Sequence, residues 1–181
     1  MKRVVILVAV ALMLASVAVA APKGDDNFVP GNISALAGIG SGLFAGGLDL
    51  FGGAEYDIGS FKLADLPFTW GGAGRVGYWG YGIGTYNISY LSIGAVGVVH
   101  FTWSNLFRDI AFFRNLDSYV GLGLGTWISG GTYSSSTNGF HLGLASVEGN
   151  NYFITPQLAI NFEGGYYGGF GSGRIGVLFK L

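Results

Sequence analysis

The last part of the chain, Gln157 to Leu181, alternates apolar with polar or small residues in two successive runs. A period of two is the pattern of a β-strand with one apolar face. The first run carries Glu163 on its polar face and the second carries Arg174. If Gly168-Gly169 forms a two-residue primed turn, which favours glycine because it needs positive φ, Glu163 pairs directly with Arg174. The pattern therefore predicts a β-hairpin with a charged pair on one face and hydrocarbon on the other.

The same alternation recurs along the chain and predicts six earlier strands. The predicted strands are 32–40, 47–57, 68–81, 87–103, 117–128 and 140–153, followed by the two strands of the terminal hairpin. An even number of antiparallel strands brings both ends of the chain to one side. We therefore predict an all-β fold, an eight-stranded antiparallel up-and-down transmembrane β-barrel, in which strand eight closes on strand one near Ile33 to Ile39.

Three segments interrupt this pattern. Ile58 to Pro67 is interpreted as an irregular connector, because proline is excluded from a central ladder. Ser104 to Leu116 has apolar residues at helical spacing, which favours an interfacial turn with one helical turn; extension of strands four and five is the alternative. In strand six, continued alternation would turn Glu148 towards lipid, so we predict a bulge between Leu144 and Phe153.

Composition supports a membrane location. Charged residues make up 10% of the chain and aromatic residues 15%, whereas a soluble domain has about 25% charged residues. After the first 20 residues no apolar run is long enough for a spanning helix. The remaining way to cross a bilayer is a closed barrel, which leaves no backbone group unpaired.

The first 20 residues, Met1 to Ala20, have the layout of a cleaved secretory signal peptide: Lys2 and Arg3, a short apolar core, and an Ala-Val-Ala ending. Ala21 to Gly31 is interpreted as a short periplasmic arm, and Asn32 to Leu181 as the barrel. Without Lys2 and Arg3, seven basic residues face ten acidic ones, a net charge of −3. This charge excludes nucleic acid as a partner, and no cysteine is present to form a disulfide.

Alternation predicts which charged residues face the lumen. They are Asp49, Glu55, Arg75, Glu163 and Arg174. Two roles fit them: a switchable gate, or a static plug that satisfies buried charge. The static plug is favoured, because a barrel of eight strands is just wide enough to be filled by side chains. Inward glycines such as Gly121, Gly123 and Gly125 are expected to make room for Tyr90, Trp79, Tyr119 and the arginines.

Several aromatic residues fall on the outward face near one end of their strands, as an interfacial aromatic belt requires. They are Tyr56, Phe68, Trp70, Phe101, Trp103 and Phe179.

The end of the chain, GRIGVLFKL, resembles the C-terminal assembly signal of small bacterial outer-membrane barrels of the OmpA/OmpX type, with OmpW-like channels as cousins. Its alternating apolar residues are Ile175, Val177, Phe179 and Leu181. The resemblance implies export to the bacterial outer membrane and contacts with outer-membrane lipid, periplasmic chaperones and the barrel-assembly machinery. The polar loop Ser129 to Gly139 is then expected to be exposed, where an extracellular ligand could bind it.

Candidate catalytic and metal-binding residues are few. Some barrel enzymes, the lipid A deacylases, use a Ser/His/acid set, for which His141, Ser146 and Glu148 are the candidates here, but the spacing does not reproduce their close His/Ser pair. His100 and His141 have no neighbouring ligands at metal-binding spacing. We therefore predict no enzyme, cofactor or metal, and a structural or surface-interaction role. The alternative is a narrow pore or lateral channel for small or hydrophobic solutes.

Overall fold

The computed structural model describes residues 27–42, 46–131, 140–167 and 170–181. Its strands are β1 Ile33–Gly42, β2 Gly46–Leu63, β3 Leu66–Ile83, β4 Tyr86–Thr102, β5 Leu116–Gly131, β6 Phe140–Phe153, β7 Leu158–Tyr167 and β8 Phe170–Lys180. The predicted signal peptide and the Gly168-Gly169 turn lie outside the described residues. So does most of the predicted loop 129–139, whose first three residues instead belong to β5 and pair with β4.

The eight strands form one closed antiparallel barrel, so the predicted fold class is confirmed. Each strand pairs with its successor, and β8 pairs with β1 from Ser34↔Lys180 to Gly42↔Ser172. The start of β1 and the end of β8 lie at the same end of the barrel, which we name the terminal end. The opposite end is the far end. Because the ring is closed, each strand has a hydrogen-bonded neighbour strand on both sides.

The terminal hairpin has the register that its sequence predicts. Glu163 pairs with Arg174, and on the outer face Phe162 pairs with Ile175. A shift of one residue would have exchanged the two faces. The charged pair therefore lies inside the barrel because of the alternation itself.

The predicted connector Ile58 to Pro67 is wrong. β2 and β3 continue through it and are joined only by Ala64 and Asp65, whose φ values of 49° and 64° are those of a primed turn. Pro67 is the second residue of β3, where the missing N–H is tolerated. A bulge between Asp57 and Gly59 reverses the alternation at this point, which hides the strand from a simple period of two.

The segment between β4 and β5 forms a 3₁₀ turn, Trp103–Asn105, and one turn of α-helix, α1, Ala111–Arg114. The predicted helical turn is therefore confirmed, and the alternative of two longer strands is wrong. In the described ranges these are the helical segments, and neither has the length or the apolar character to cross a membrane.

The predicted bulge in β6 is also wrong. The β6 pairings with β5 and β7 run without a shift, and Glu148 points outward between Val120 and Gly164. The reason is on the inner face, where Val147 and Asn151 are both buried. A bulge between them would turn one of these two side chains out of the lumen.

The barrel has an apolar outside and a largely polar inside. Leu122 and Leu144 on the outer face are 73% and 75% exposed, whereas Asp49 and Asn161 on the inner face are fully buried. Two apolar clusters share the lumen with the polar groups. One comprises Ala73, Val96, Val98, Tyr119, Ala145, Val147 and Tyr167, and the other Phe28, Leu36, Phe51, Phe153, Ala159 and Leu178.

Candidate functional site

The centre of the lumen is organised around Glu163 on β7. Its Oε2 atom accepts a 2.9 Å hydrogen bond from Arg75 Nε, and its Oε1 atom accepts one of 3.4 Å from Arg174 Nη1. Tyr119 also donates its hydroxyl proton to Oε2 at 2.9 Å. β3 and β7 are four places apart in a ring of eight strands. The contact between Arg75 and Glu163 therefore crosses the full width of the lumen.

Two carboxylates of β2 hold the other sides of the arginines. Asp49 accepts from Arg174 Nε at 2.7 Å, and Glu55 accepts from Arg75 Nη2 at 3.4 Å. The structure thus brings all five sequence-predicted lumen charges into one network, and each is 5% exposed or less. Such burial requires paired charges, since an isolated ion in a low-dielectric interior is strongly disfavoured.

A second set of polar residues lies nearer the terminal end. His100 Nδ1 is 2.7 Å from Asp117 Oδ1, and His100 Nε2 is hydrogen-bonded to Glu55 Oε1. Asp117 also accepts from Thr102 Oγ1 at 3.2 Å and from Asn151 Nδ2 at 3.4 Å. Sequence reasoning overlooked Asp117 and Asn151. Both residues stand at positions of β5 and β6 that the alternation turns inward, and this pattern could have identified them.

The glycines that make room in the lumen are not those predicted. A Cβ added at Gly121 would meet Val98 and Val147 at 2.8 Å, so this glycine accommodates valines rather than Tyr90, Trp79, Tyr119 or an arginine. Gly123 faces the backbone of β4, and Gly125 faces Ala145 and the Tyr167 backbone. Tyr119 instead lies against Gly149 and Arg174 against Gly77. Strand stagger decides these partners, because it sets which positions lie at the same height.

The described end of the predicted arm enters the terminal mouth of the barrel. The Phe28 ring stacks on the His100 imidazole with 3.9 Å between ring centroids, and Phe28 is 1% exposed. The Thr69 hydroxyl donates to the Phe28 carbonyl at 2.9 Å, and Lys180 Nζ donates to the Asn27 carbonyl at 2.6 Å. This segment therefore closes the lumen at the terminal end.

Asp57 lies next to this segment, and its backbone carbonyl accepts a hydrogen bond from the Gly31 N–H at 2.8 Å. Asp57 is 2% exposed, and its Oδ1 atom is buried without a hydrogen-bond partner. An oxygen of Asp57, one of Glu55 and a ring nitrogen of His100 all lie within 4.8 Å of one another. Among the described residues, these three are the ones that could hold a metal ion.

Outward aromatic residues form a band near the terminal end. Phe68 contacts Phe101 at 5.2 Å between ring centroids, and Phe101 contacts Trp103 at 5.6 Å. Tyr56 and Trp70 are exposed on the outer face and Phe179 is half-buried. The contacting band is wider than the predicted set and also includes Phe61, Phe107, Phe112, Phe113 and Tyr152.

The predicted assembly-signal residues follow the alternation of β8. Ile175 and Val177 are exposed on the outer face, and Phe179 pairs with Ala35 of β1 and Leu158 of β7. Leu181 is 75% exposed, and its N–H donates to the Ile33 carbonyl at 2.8 Å. The last residues of the chain therefore form the seam at which the barrel closes.

The candidate catalytic set is not brought together. His141 shares the inner parity of β6 with Ala145 and stacks on Trp127 with 4.0 Å between ring centroids. Ser146 and Glu148 have the opposite parity and lie on the outer face. The barrel wall separates this histidine from both of its supposed partners.

Comparison with known proteins agrees with the fold. No protein-family model matches the sequence, and neither does any curated protein. Among solved structures, the attachment invasion locus protein Ail of Yersinia pestis is similar with a TM-score of 0.51 and 14% identity, over 84% of this chain and 100% of that one. The outer-membrane enzyme PagL is similar with a TM-score of 0.51 and 16% identity, over 82% of this chain and 98% of that one.

The fold is therefore that of small eight-stranded transmembrane β-barrels, as the sequence pattern and the resemblance predicted. It is shared by an attachment protein and by an enzyme. The fold by itself does not choose between roles, so the choice depends on the side chains of the lumen.

Proposed function

We propose that this protein is a small outer-membrane β-barrel with a closed, side-chain-filled lumen and a structural or surface-interaction role. The observation that carries the proposal is the contact between Arg75 and Glu163, which spans the lumen from β3 to β7. Arg174 adds a second bridge from Glu163 to Asp49 on β2. An ion that crossed the barrel would have to displace both bridges.

The outer surface supports a lipid environment. Ile39, Ile93 and Leu124 are each about half exposed or more at 53%, 47% and 59%, on three different strands. A soluble protein rarely exposes a continuous apolar surface of this extent, and an aromatic band at one end suits a membrane interface. We expect heat-modifiable gel migration and β-rich circular dichroism in detergent. A water-soluble monomer without detergent would contradict the membrane location.

Export and assembly belong to the same proposal. Cleavage of the leader after Ala20 would release the chain into the periplasm. There, periplasmic chaperones and the barrel-assembly machinery would read the alternating residues at the end of β8, which form the closing seam. An extracellular ligand would meet the loop between β5 and β6. This proposal assigns no reaction to the chain, because His141 and Ser146 lie on opposite faces of β6.

A lateral channel is the second candidate, and one feature of the wall favours it. A depression of about 500 Å³ on the outer wall is lined by Glu148 and Asn150, and the lumen residues Glu163 and Arg174 belong to the same stretch of wall. Between them the wall contains Gly164 and Gly173, which have no side chains to thicken it. A small solute could leave sideways here if the charged bridges moved.

Conductance in planar bilayers distinguishes the two candidates. The closed-lumen proposal predicts electrical silence for the unmodified protein and openings in Arg174→Ala, which removes one bridge. Arg108→Ala is the matched control, because Arg108 is exposed in the turn between β4 and β5. Steady openings of the unmodified protein that Arg174→Ala alters would overturn the proposal and favour the channel.

A further inference from the structure

We propose that the terminal end of the lumen is a binding site for one divalent transition-metal ion, with Glu55, Asp57 and His100 as ligands. The starting point is Asp57, whose Oδ1 atom is buried without a hydrogen-bond partner. A buried polar atom normally has a partner, and leaving one without costs free energy. An unpaired carboxylate oxygen next to a histidine and a second carboxylate is the arrangement that a metal ion would satisfy.

The three ligands are close enough for one ion. Their ligand atoms lie within 4.8 Å of one another, and the residues are only 2–4% exposed. Ligands on a tetrahedral Zn²⁺ at 2.0–2.2 Å are about 3.4 Å apart. Asp57 would therefore have to move inward, and the hydrogen-bonded atoms of Glu55 and His100 would have to separate, each by about 1 Å, without any change in the strands.

The other atoms of these ligands are already fixed in suitable directions. His100 Nδ1 is held by Asp117 at 2.7 Å, which leaves Nε2 as the coordinating nitrogen. A carboxylate behind a ligating histidine is a recurrent arrangement that orients the ring. Glu55 gives its Oε2 atom to Arg75 and turns its Oε1 atom towards His100 Nε2. A metal ion at this point would take the place of the proton that they share.

The aromatic neighbour is compatible with coordination. Phe28 stacks on the face of the His100 ring with an angle of 25° between the ring planes. A metal ion binds imidazole in the plane of the ring, so the stacked phenyl group does not occupy its position. Beside Phe28, a cavity of about 220 Å³ reaches His100 from the Lys62 and Pro67 end of the β2–β3 hairpin. This cavity is a path by which the ion could enter.

The local charge also favours a cation. Among the described residues, the buried carboxylates of the lumen at this end are Glu55, Asp57 and Asp117, and the lysine and arginine that act on them are Lys180 and Arg75. Arg75 shares its guanidinium with Glu163, and Lys180 directs its Nζ atom to the Asn27 carbonyl. Asp57 therefore forms no ion pair with either cation, and Lys180 acts on it only at longer range.

The donor set indicates the class of metal. One imidazole nitrogen and two carboxylate oxygens suit Zn²⁺ and neighbouring transition metals, whereas Ca²⁺ and Mg²⁺ prefer oxygen alone. Three protein ligands leave a fourth position for water. His100 on β4 is distant in sequence from Glu55 and Asp57 on β2, which explains why spacing along the chain gave no signal.

The test is Zn²⁺ binding by the full chain, folded in detergent without a histidine tag and measured by equilibrium dialysis with metal analysis. We expect one Zn²⁺ per chain, and binding at least about 10-fold weaker in Asp57→Asn and in Asp117→Asn. Asp57→Asn is the least disruptive change, because Oδ1 has no hydrogen bond to lose. His141→Gln and Asp65→Asn are controls that remove the other histidine and an exposed acid at the same end, and neither should alter binding.

Absence of binding, or equal binding in Asp57→Asn, would overturn the proposal, as would loss of binding in His141→Gln. A second measurement on the unmodified protein does not depend on the variants folding. Co²⁺ should give the intense visible absorption of a four-coordinate site. A spectrum no stronger than that of Co²⁺ in buffer would contradict the site.

Discussion

Replacing Glu163 with glutamine removes the one carboxylate that both lumen arginines share. In the folded barrel, Glu163 accepts from Arg75 at 2.9 Å, Arg174 at 3.4 Å and Tyr119 at 2.9 Å. Glutamine has nearly the same volume, so packing is preserved and the charge is the main change. Its amide nitrogen is a donor and would face guanidinium groups that are also donors.

The expected loss of stability depends on which carboxylate partners each arginine retains in the variant. Removing one partner of a buried pair typically costs about 3–5 kcal/mol, because it leaves an uncompensated buried charge. Arg174 retains Asp49 at 2.7 Å, and Arg75 retains Glu55 at 3.4 Å. Neither arginine is left without any carboxylate, which places the expected loss near the lower limit, about 3 kcal/mol.

The assay is reversible urea unfolding in lipid vesicles, followed by tryptophan fluorescence, because Trp79 is buried in the lumen at 2% exposure. Glu148→Gln is the matched control. It is the same substitution on the outer face of β6, opposite Gly164. We expect it to change the free energy of unfolding by less than about 0.5 kcal/mol or to stabilise, since a charge facing lipid is unfavourable. Equal losses in the two variants would refute the idea that Glu163 is the centre of the network.

Three further changes test the packing with the same assay. Gly94→Val places a Cβ 2.6 Å from the Tyr167 ring and should lower the free energy of unfolding by about 1–3 kcal/mol. Its control is Gly72→Val, which should be nearly neutral because nothing lies within 4 Å of a Cβ added there. Equal effects of the two changes would contradict crowding at Gly94. Ala64→Gly should stabilise by about 1 kcal/mol because Ala64 has φ of 49°, and a loss of stability would argue against the primed turn. Phe28→Ala should lower the free energy of unfolding by about 3 kcal/mol, because the buried Phe28 ring packs on His100. Val29→Ala, at an exposed neighbouring position, should change it negligibly. A neutral Phe28→Ala would show that the arm does not close the terminal end of the lumen.

The strand pairing of the barrel could be predicted from the sequence, because each strand needs an apolar face towards lipid and therefore alternates in polarity. The pairing of Glu163 with Arg174 needed only the alternation and an assumed two-residue turn. The closure of β8 on β1 followed from the need to leave no edge in lipid. These are local or topological constraints, and a single sequence carries both.

The wrong predictions concern strands whose own sequence does not show what their inward side chains contact on the opposite side of the barrel. The bulge at Asp57 and Gly59 reverses the parity of β2, so the strand looked like a connector. In β6 the outward Glu148 seemed to require a bulge, but the inward Val147 and Asn151 determine the register. In β6, the burial of Val147 and Asn151 in the lumen stabilises the observed register by more than the outward carboxylate of Glu148 destabilises it.

The contacts across the lumen could not be predicted at all. His100 and Glu55 are 45 positions apart, and Phe28 meets Thr69 over 41 positions. Parity says that such side chains point inward, but the stagger of the strands decides which of them lie at one height. The arm that closes the terminal end also has no alternation to mark it, because it is not a strand.

The lumen divides into two parts that differ in how well charge is matched. At the centre, Arg75 and Arg174 each contact two carboxylates, so this part is expected to hold the barrel shut. At the terminal end, Asp57 lies next to Glu55 and His100 with an oxygen that nothing satisfies. Glu55 belongs to both parts, because its Oε2 atom pairs with Arg75 and its Oε1 atom faces His100. One side chain can therefore take part in the central network and also bind a cation. Asp49 at the centre also has a buried Oδ1 atom without a hydrogen-bond partner, but its other oxygen pairs with Arg174. Among the described residues, Asp57 forms no ion pair and lies beside a histidine and a second carboxylate, so the terminal end is the part of the lumen that is better explained by binding.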